Sequence, residues 1–203
     1  MLKIIKDIDP INITDEYDVL LIGTSIACSL TSGLQGKIAN KYPYVDEANN
    51  KLPYRDNRRL GKRLTLKEDG KPIISLLFIC KFMDKRYVTV DYEALENCLA
   101  TANVEFKGKK VLTTVLGGTR VDGNGDKQKC LDILEKTTKD MDVDVYDYEQ
   151  MTRQEEVKKL YRQLTTYWIK NKLSPSKKES IEARLKICKE NFVNTISYDG
   201  KIY

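Results

Sequence analysis

The chain has 203 residues, of which 41% are hydrophobic and 32% charged, and this composition is typical of a globular protein and excludes a disordered one. No apolar run approaches the roughly 18 to 20 residues of a membrane span, so we expect no membrane partner. The net charge of +5 is uneven, because residues 151–203 contain 12 Lys and Arg against 6 Asp and Glu, whereas residues 1–150 are near neutral. Such a basic segment predicts either a solvated helix face or a contact with nucleic acid or an acidic partner.

The sequence contains no histidine. This absence excludes Ser-His and Cys-His nucleophile pairs and most catalytic zinc sites, so catalysis would have to use Lys, Asp, Glu, Tyr, Cys or a bound ligand. No Cys-x-x-Cys pair occurs among the five scattered cysteines, which are Cys28, Cys80, Cys98, Cys130 and Cys188. We therefore predict free, mostly buried thiols, no metal site and no cofactor.

The first third of the chain predicts two strands and a helix. Residues 2–6 alternate like a short strand and lack the apolar stretch and cleavage site of a signal peptide, which favours a cytoplasmic location. Residues 18–23 contain the run Val-Leu-Leu-Ile, which is apolar on both faces and predicts a buried strand. A loop of small residues is expected over 24–33 and a helix over about 34–42. Residues 43–62 contain Pro, Asn and Arg without a clear period, and we interpret them as a loop.

The middle of the chain predicts a hairpin and then helices alternating with strands. Leu64 and Leu66 alternate with polar neighbours, and Asp69-Gly70 is a turn signal. The apolar residues 72–80 then predict a central strand antiparallel to the first. The remaining elements are a helix over 90–106, a strand over 109–116, a turn over 123–125, a helix with Leu131 and Leu134 directed inward, and a strand over 142–148 that closes the sheet.

Strands alternating with helices predict an α/β fold with three layers, α/β/α. The hairpin predicts a mixed six-stranded sheet, and this domain is expected to end near residue 150. Residues 151–203 predict a basic two-helix extension with a short terminal tail. Within it, Tyr161, Tyr167 and Trp168 could stack on nucleic-acid bases, although Tyr161 and Trp168 lie on an apolar stripe that favours packing.

Ligands of open α/β sheets bind beyond the carboxyl ends of the strands, and three strand ends here are candidates. The first begins at Gly23-Thr24-Ser25 and continues through Ser32-Gly33 into the next helix. Small residues allow close approach of a ligand to the backbone, and a helix N-terminus favours phosphate. An ordinary strand-to-helix connection is the alternative.

The second candidate is the segment 116–125, which contains four glycines after a predicted buried strand. Successive backbone N–H groups in such a segment could bind a diphosphate. Asp122 within it could face a bound ligand or could simply cap a turn.

The third candidate is Lys81, directly after the apolar strand that ends with Phe78-Ile79-Cys80. A lysine at the edge of a buried strand is expected to be partly desolvated, which frees the amine and makes it a nucleophile towards carbon. The alternative is a surface lysine that extends from a strand end into solvent.

Taken in order, residues 1–150 resemble the macro domain, a family that binds ADP-ribose. Lys6-Asp7 stands where the family has Gly-Asp after its first strand, and the resemblance implies that Asp7 recognises the adenine. The segment 33–43 resembles the loop and helix that wrap the distal ribose, and residues 117–123 resemble the loop that wraps the diphosphate. The implied ADP-ribose-binding residues are Asp7, Ile8, Gly23, Thr24, Ser25, Ser32, Gly33, Leu34, Gly36, Gly117, Gly118, Thr119, Arg120, Val121 and Gly123.

Within macro domains, the chain is similar to the branch of the terminal ADP-ribose protein glycohydrolase and of the antitoxins that reverse DNA ADP-ribosylation. In that branch a hydrophobic strand ends in a lysine and a Tyr-Glu-x-Leu helix follows, as Phe78-Ile-Cys-Lys81 and Asp91-Tyr-Glu-Ala-Leu95 do here. Asp122 matches the branch's aspartate in the second loop, although it lies one residue further along. The resemblance implies a hydrolase in which Lys81 attacks the anomeric carbon of the distal ribose and Asp122 assists opening of the sugar and release.

Phage proteins that resemble ADP-ribose 1''-phosphate phosphatases are also similar, and a phage-encoded chain would act in the host cytoplasm. The leaving group stays open between a protein carboxylate, a nucleic-acid base and a phosphate. A non-catalytic module that binds ADP-ribose or an NAD metabolite is the alternative function. In the first loop, Gln35 and Lys37 stand where many relatives have Gly or Ala, and we expect Lys37 to point to solvent rather than to phosphate.

Overall fold

The computed structural model describes residues 2–5, 9–27, 30–31, 33–82, 87–119 and 123–147. All of them belong to one compact unit, Met1–Tyr148. The predicted domain boundary near residue 150 and the predicted helical extension over 151–203 lie outside the described residues and stay predictions.

The described residues form six strands and four α-helices. The strands are β1 Leu2–Ile5, β2 Val19–Ser25, β3 Arg63–Leu66, β4 Ile73–Cys80, β5 Lys110–Thr114 and β6 Asp142–Tyr146. The helices are α1 Gly33–Lys41, α2 Pro43–Asn50, α3 Tyr92–Glu105 and α4 Lys127–Thr137, and three short 3-10 helices cover Pro10–Asn12, Thr14–Glu16 and Asn57–Arg59.

One mixed sheet contains all six strands, in the order β1-β6-β5-β2-β4-β3. Every neighbouring pair is parallel except β3 with β4, which are antiparallel. The hairpin turn at Asp69-Gly70 explains this exception, since Gly70 has a φ of +73°, a conformation that glycine adopts without strain. The predicted mixed six-stranded sheet is therefore confirmed.

The core has two halves, one on each face of the sheet. Successive strand residues point to opposite faces, so Val19 and Leu21 of β2 pack with the α3–α4 half while Leu20 and Ile22 pack with the α1–α2 half. Large apolar side chains are buried on both faces of the sheet, and the burial of each one stabilises the fold by roughly 1.5–3 kcal/mol. The three-layer α/β/α prediction is confirmed.

Strand β6 lies inside the sheet, so the prediction that it closes the sheet is wrong. The edge is formed by β1, whose side chains are exposed or half-buried. Within β6, Val143 and Val145 are buried on one face, and Asp144 is buried on the other, where the Tyr17 hydroxyl donates to it at 2.7 Å. Burial and this hydrogen bond raise the pKa of Tyr17 above its ordinary value.

The prediction that residues 43–62 form a loop is also wrong. They contain α2 and the 3-10 helix Asn57–Arg59. Pro43 occupies the first turn of α2, where its missing N–H costs nothing. The helix has only eight residues and buries Val45 and Asn49, which is too short a pattern for its period to be visible in the sequence.

The three described cysteines, Cys80, Cys98 and Cys130, are buried thiols outside any disulfide, as predicted. Burial raises the pKa of the Cys98 thiol to about 12. Cys28 and Cys188 lie outside the described residues. None of the helices that the structure describes combines the length and the apolar character needed to cross a membrane.

Candidate functional site

The parallel strands direct their carboxyl ends to one edge of the sheet, where the candidate segments meet. The Ile26 N–H donates to the Cys80 carbonyl at 2.9 Å, which joins the ends of β2 and β4. At the other side, the Asp147 N–H donates to the Ile5 carbonyl at 3.1 Å, which joins the ends of β6 and β1. The chain therefore leaves β1, β2, β4, β5 and β6 along a common edge.

At the end of β2, Gly23, Thr24 and Ser25 are buried strand residues, so the expectation that a loop begins at Thr24 is wrong. The Thr24 Oγ1 is closed to solvent and has no hydrogen-bond partner among the described groups. The Gln35 side chain donates to the Gly23 carbonyl at 2.5 Å. This hydrogen bond ties α1 to the strand end.

Helix α1 begins at Gly33, which has a φ of +60° and open space around the position of a Cβ. Gly36 is different, because a Cβ there would lie 3.0 Å from the Thr31 carbonyl carbon. Leu34 between them packs against the α1–α2 half of the core. The start of α1 is thus open at Gly33 and closely packed one turn later.

The glycines after β5 pack around the side chain of Val90. A Cβ on Gly117, Gly123 or Gly125 would lie 2.4, 2.9 or 2.5 Å, respectively, from an atom of Val90. Gly118 is also confined, with Val115 Cγ1 2.7 Å from the position of a Cβ. Internal packing therefore explains these glycines even without a ligand.

Several N–H groups of this segment already donate within the protein. The Gly118 N–H donates to the Val115 carbonyl, and the Gly125 N–H donates to the Gly117 carbonyl at 2.8 Å. The Asn124 N–H donates to the Thr119 carbonyl, also at 2.8 Å. A diphosphate would have to use other donors, and the predicted Arg120, Val121 and Asp122 lie outside the described residues, as do Asp7, Ile8 and Ser32.

Lys81 directly follows β4 and is exposed, as is Phe82 beside it. The expectation that Lys81 is partly desolvated is therefore wrong for the free protein, because the chain leaves the sheet at Cys80, which is fully buried. The return of the chain is fixed by the Asp91 N–H, which donates to the Ile79 carbonyl at 2.8 Å. Asp91 then caps α3 by accepting from the Ala94 N–H at 3.0 Å.

No protein-family model matches the sequence, and no curated protein matches it. Solved structures do match. The macrodomain of Thermus aquaticus DarG is 12% identical with a TM-score of 0.55 over 74% of this chain and 99% of that one. The macrodomain of Mycobacterium tuberculosis DarG is 15% identical with a TM-score of 0.55 over 72% and 97%, respectively. The chain has a macrodomain fold. A structure of Thermosipho africanus DarTG in complex with ADP-ribose shares it at 12% identity and a TM-score of 0.51, over 64% of this chain and 38% of that one.

Two residues at the carboxyl edge of this macrodomain fold were missed by the sequence analysis. Asp147 directly follows β6, is 7% exposed, and accepts through Oδ2 from Lys127 Nζ at 2.7 Å. Arg59 is 8% exposed, and its Nη1 donates to the Pro53 carbonyl at 2.9 Å and to the Ile26 carbonyl at 3.3 Å. The position of Asp147 at the end of a predicted strand is a signal that it lies at the carboxyl edge. The sequence gives no such signal for Arg59, because residues 43–62 show no clear period.

Lys37 lies on α1 of the macrodomain fold, where its side chain is 52% exposed and forms an ion pair with Asp9. The hydrogen bond from Lys37 lowers the pKa of the Asp9 carboxyl. One turn later, Lys41 pairs with Asp15 at 2.7 Å and lowers its pKa in the same way. These two pairs hold the segment 9–16 against α1. Among the residues that the structure describes, no group of three His, Cys, Asp or Glu could hold a metal ion.

Proposed function

We propose that the protein binds ADP-ribose along the carboxyl edge of its sheet and hydrolyses ADP-ribose derivatives at the distal ribose. The observation that carries this proposal is the position of Lys81. It directly follows β4, beside the ends of β2 and β4, in a fold shared with a Thermosipho africanus structure that contains ADP-ribose. A primary amine at that edge can reach a sugar carbon held beyond the strand ends.

In the proposed complex the ligand runs from the end of β1 to the end of β4. Asp7 and Ile8 take the adenine, and the segment 117–123 takes the diphosphate. Gly33, at the open start of α1, and Gly36 approach the distal ribose. The start of α1 at Gly33 supports binding of an anionic, sugar-containing ligand, because a helix N-terminus favours anions and small residues allow close approach.

In the proposed reaction the Lys81 amine attacks the anomeric carbon of the distal ribose. The bond from that carbon to the leaving group breaks as the bond to Lys81 Nζ forms, and the leaving group takes up the proton that Nζ loses. The ring oxygen then leaves the anomeric carbon as an iminium forms at Nζ, and water adds to that carbon. Expulsion of the amine regenerates Lys81 and gives the aldehyde, which closes to ADP-ribose. Asp122 assists opening of the sugar and release. Because the Lys81 side chain is exposed in the free protein, the bound substrate must displace the water around it for the amine to react.

A non-catalytic ADP-ribose-binding module is the second candidate. The exposure of Lys81 favours it, since a solvated lysine side chain lacks the desolvation that makes an amine an effective nucleophile. The packing of four glycines around Val90 and Val115 favours it as well, because those residues have a structural reason that requires no chemistry. Such a module would bind ADP-ribose without turning over any derivative.

Calorimetric titration with ADP-ribose, with AMP and NAD as controls, tests binding first. We expect saturable binding of ADP-ribose that neither control reproduces. Absence of binding to all three ligands would contradict both candidate functions and direct attention to nucleic acid and residues 151–203.

Substitution of Lys81 then separates the hydrolase from the module. Lys81→Ala should reduce turnover of ADP-ribosylated protein, ADP-ribosylated nucleic acid or ADP-ribose 1''-phosphate by about a thousandfold or more, since without the amine no bond to the anomeric carbon can form. Affinity for ADP-ribose should stay within about threefold of wild type. Lys139→Ala is the matched control, because Lys139 is exposed and lies between α4 and β6, at the opposite edge.

Undiminished turnover in Lys81→Ala would eliminate the covalent mechanism. Wild-type binding without turnover of any of the three substrates would favour the module. Asp122→Ala should also slow turnover, and Asp126→Ala is its comparison, since Asp126 already caps α4 by accepting from the Lys129 N–H at 2.9 Å.

A further inference from the structure

Asp147 is a buried carboxylate with one oxygen unused. It is 7% exposed, and its Oδ2 accepts from Lys127 Nζ at 2.7 Å. Its Oδ1 is closed to solvent and receives no hydrogen bond from any group that the structure describes. A buried acceptor that is left unsatisfied is destabilising, and a carboxylate more so than a neutral group.

Asp147 lies at the end of the proposed ligand path where the adenine is expected to bind. Its N–H donates to the carbonyl of Ile5, the last residue of β1, and the predicted adenine-binding residue Asp7 follows two positions later. On the other side of Asp147, Lys127 begins α4 and packs against Gly118. A Cβ added at Gly118 would lie 3.1 Å from Lys127 Cα. The carboxylate therefore lies between the ends of β1 and β6 and the segment predicted to hold the diphosphate.

An ion pair by itself does not account for this arrangement. Lys127 is 47% exposed and contacts only one of the two carboxylate oxygens. A partly exposed ion pair of this kind gives no reason for the other oxygen, Oδ1, to be buried away from water. Lys127 instead fixes the orientation of the carboxyl group. Oδ1 is left as a desolvated acceptor beside the ends of β1 and β6.

We propose, on the basis of the ADP-ribose binding proposed above, that Asp147 Oδ1 accepts a hydrogen bond from the adenosine half of the ligand. A carboxylate accepts but does not donate, and the donors that adenosine offers are the exocyclic amine of the base and the ribose hydroxyls. The same negative charge repels a phosphate on that ribose. Asp147 thus selects ligands with free ribose hydroxyls over their 2'-phosphorylated counterparts, by the logic with which an acidic residue selects NAD over NADP in dinucleotide-binding folds.

The test is calorimetric titration of the full chain with ADP-ribose, inosine diphosphate ribose and ADP-ribose 2'-phosphate. The first analogue lacks the amine, and the second replaces a hydroxyl with a phosphate. Wild type is compared with Asp147→Asn, and with Asp142→Asn as the control, since Asp142 is exposed at the opposite end of β6. Thermal melting of each variant checks that it is folded.

Asparagine is informative at position 147 because Lys127 donates to its side chain. The amide oxygen faces the lysine, so the amide NH2 takes the place of Oδ1 and an acceptor becomes a donor. We expect Asp147→Asn to bind ADP-ribose about tenfold more weakly or worse, and to lose much of the wild-type preference over one analogue. Loss of the preference over the inosine analogue identifies the amine, and loss of the preference over the 2'-phosphate identifies the hydroxyl.

Asp142→Asn should behave as wild type. Equal affinities of Asp147→Asn and wild type for all three ligands would overturn the inference and leave ADP-ribose binding intact. The wild-type affinities give a test without any variant. If both analogues bind wild type within about twofold of ADP-ribose, the inference is overturned as well. Wild type that binds none of the three ligands overturns the proposed function, and this inference with it.

Discussion

At the scale of single residues, the packing around Val90 decides which side chains the segment after β5 can tolerate. Gly125 shows this most simply, because its φ lies outside the positive range and only space constrains it. A Cβ there would lie 2.5 Å from Val90 Cγ1 and 3.0 Å from the Gly117 carbonyl oxygen. The first neighbour is a buried β-branched side chain and the second is backbone, so neither is the free end of a flexible side chain.

We therefore expect Gly125→Ala to lower the free energy of unfolding by about 1–3 kcal/mol, as overpacking does elsewhere. Chemical denaturation measures this. In a Val90→Ala background the same substitution should cost less, since the nearest clash is gone, and the double-mutant cycle isolates that contact. An equal cost in both backgrounds would show that Val90 is not what confines Gly125.

At the scale of elements, two aspartate caps and one tyrosine set the positions of α3 and α4. Asp91 caps α3 and Asp126 caps α4, and the Asp126 N–H donates to the Tyr92 hydroxyl at 2.9 Å. The first residue of α3 is thereby joined to the cap of α4. The starts of α3 and α4 are thereby held together at the carboxyl edge of the sheet.

Asp91→Ala should lower the free energy of unfolding by about 1 kcal/mol, because it leaves the Ala94 N–H without its acceptor. Asp91→Ser should retain most of the stability, since a serine hydroxyl can accept the same hydrogen bond. The control is Glu93→Ala, an exposed position in the same first turn, for which a change of a few tenths of a kcal/mol is expected. Denaturant midpoints compare the three variants, and a loss in Asp91→Ser as large as in Asp91→Ala would argue against capping as the cause.

At the scale of the whole molecule, acid stability reports on the ion pairs that join segment 9–16 to α1. The pKa values of Asp9 and Asp15 are lowered in the folded state, first by hydrogen bonds from Lys37 and Lys41. The unfolded chain therefore takes up protons first, and the free energy of unfolding falls as the pH drops from about 4 through the lowered pKa values.

Removing a lysine should flatten this part of the pH profile. Lys41→Ala should reduce the free energy of unfolding at neutral pH by less than about 1 kcal/mol, since Asp15 is mostly exposed, and the difference from wild type should vanish near pH 2. Thermal melting between pH 2 and 7 tests this. A difference that persists at low pH would mean that Lys41 stabilises the fold through packing rather than charge.

Features that depend on local pattern were predictable, and those that depend on the finished fold were not. The apolar runs of β2 and β4 and the Asp-Gly turn between β3 and β4 appear directly in the sequence. The burial of Asp144 and Asp147 does not, because it depends on what covers β6 from elsewhere in the chain. Lys81 shows both sides, since its place after β4 was predictable, whereas its exposure depends on where the chain turns away from the sheet.

The pairing of β1 with β6 has a consequence for how the chain is made. Leu2–Ile5 pairs with residues 143–146, so within the described sheet the strand that is synthesised before the others has no partner until about 140 further residues have been synthesised. Closing a loop of that length is slow, and the central pairs among β2, β3, β4 and β5 can form without it. During translation β1 is therefore expected to wait as an unpaired strand and to dock last, so that the strand made first completes the sheet.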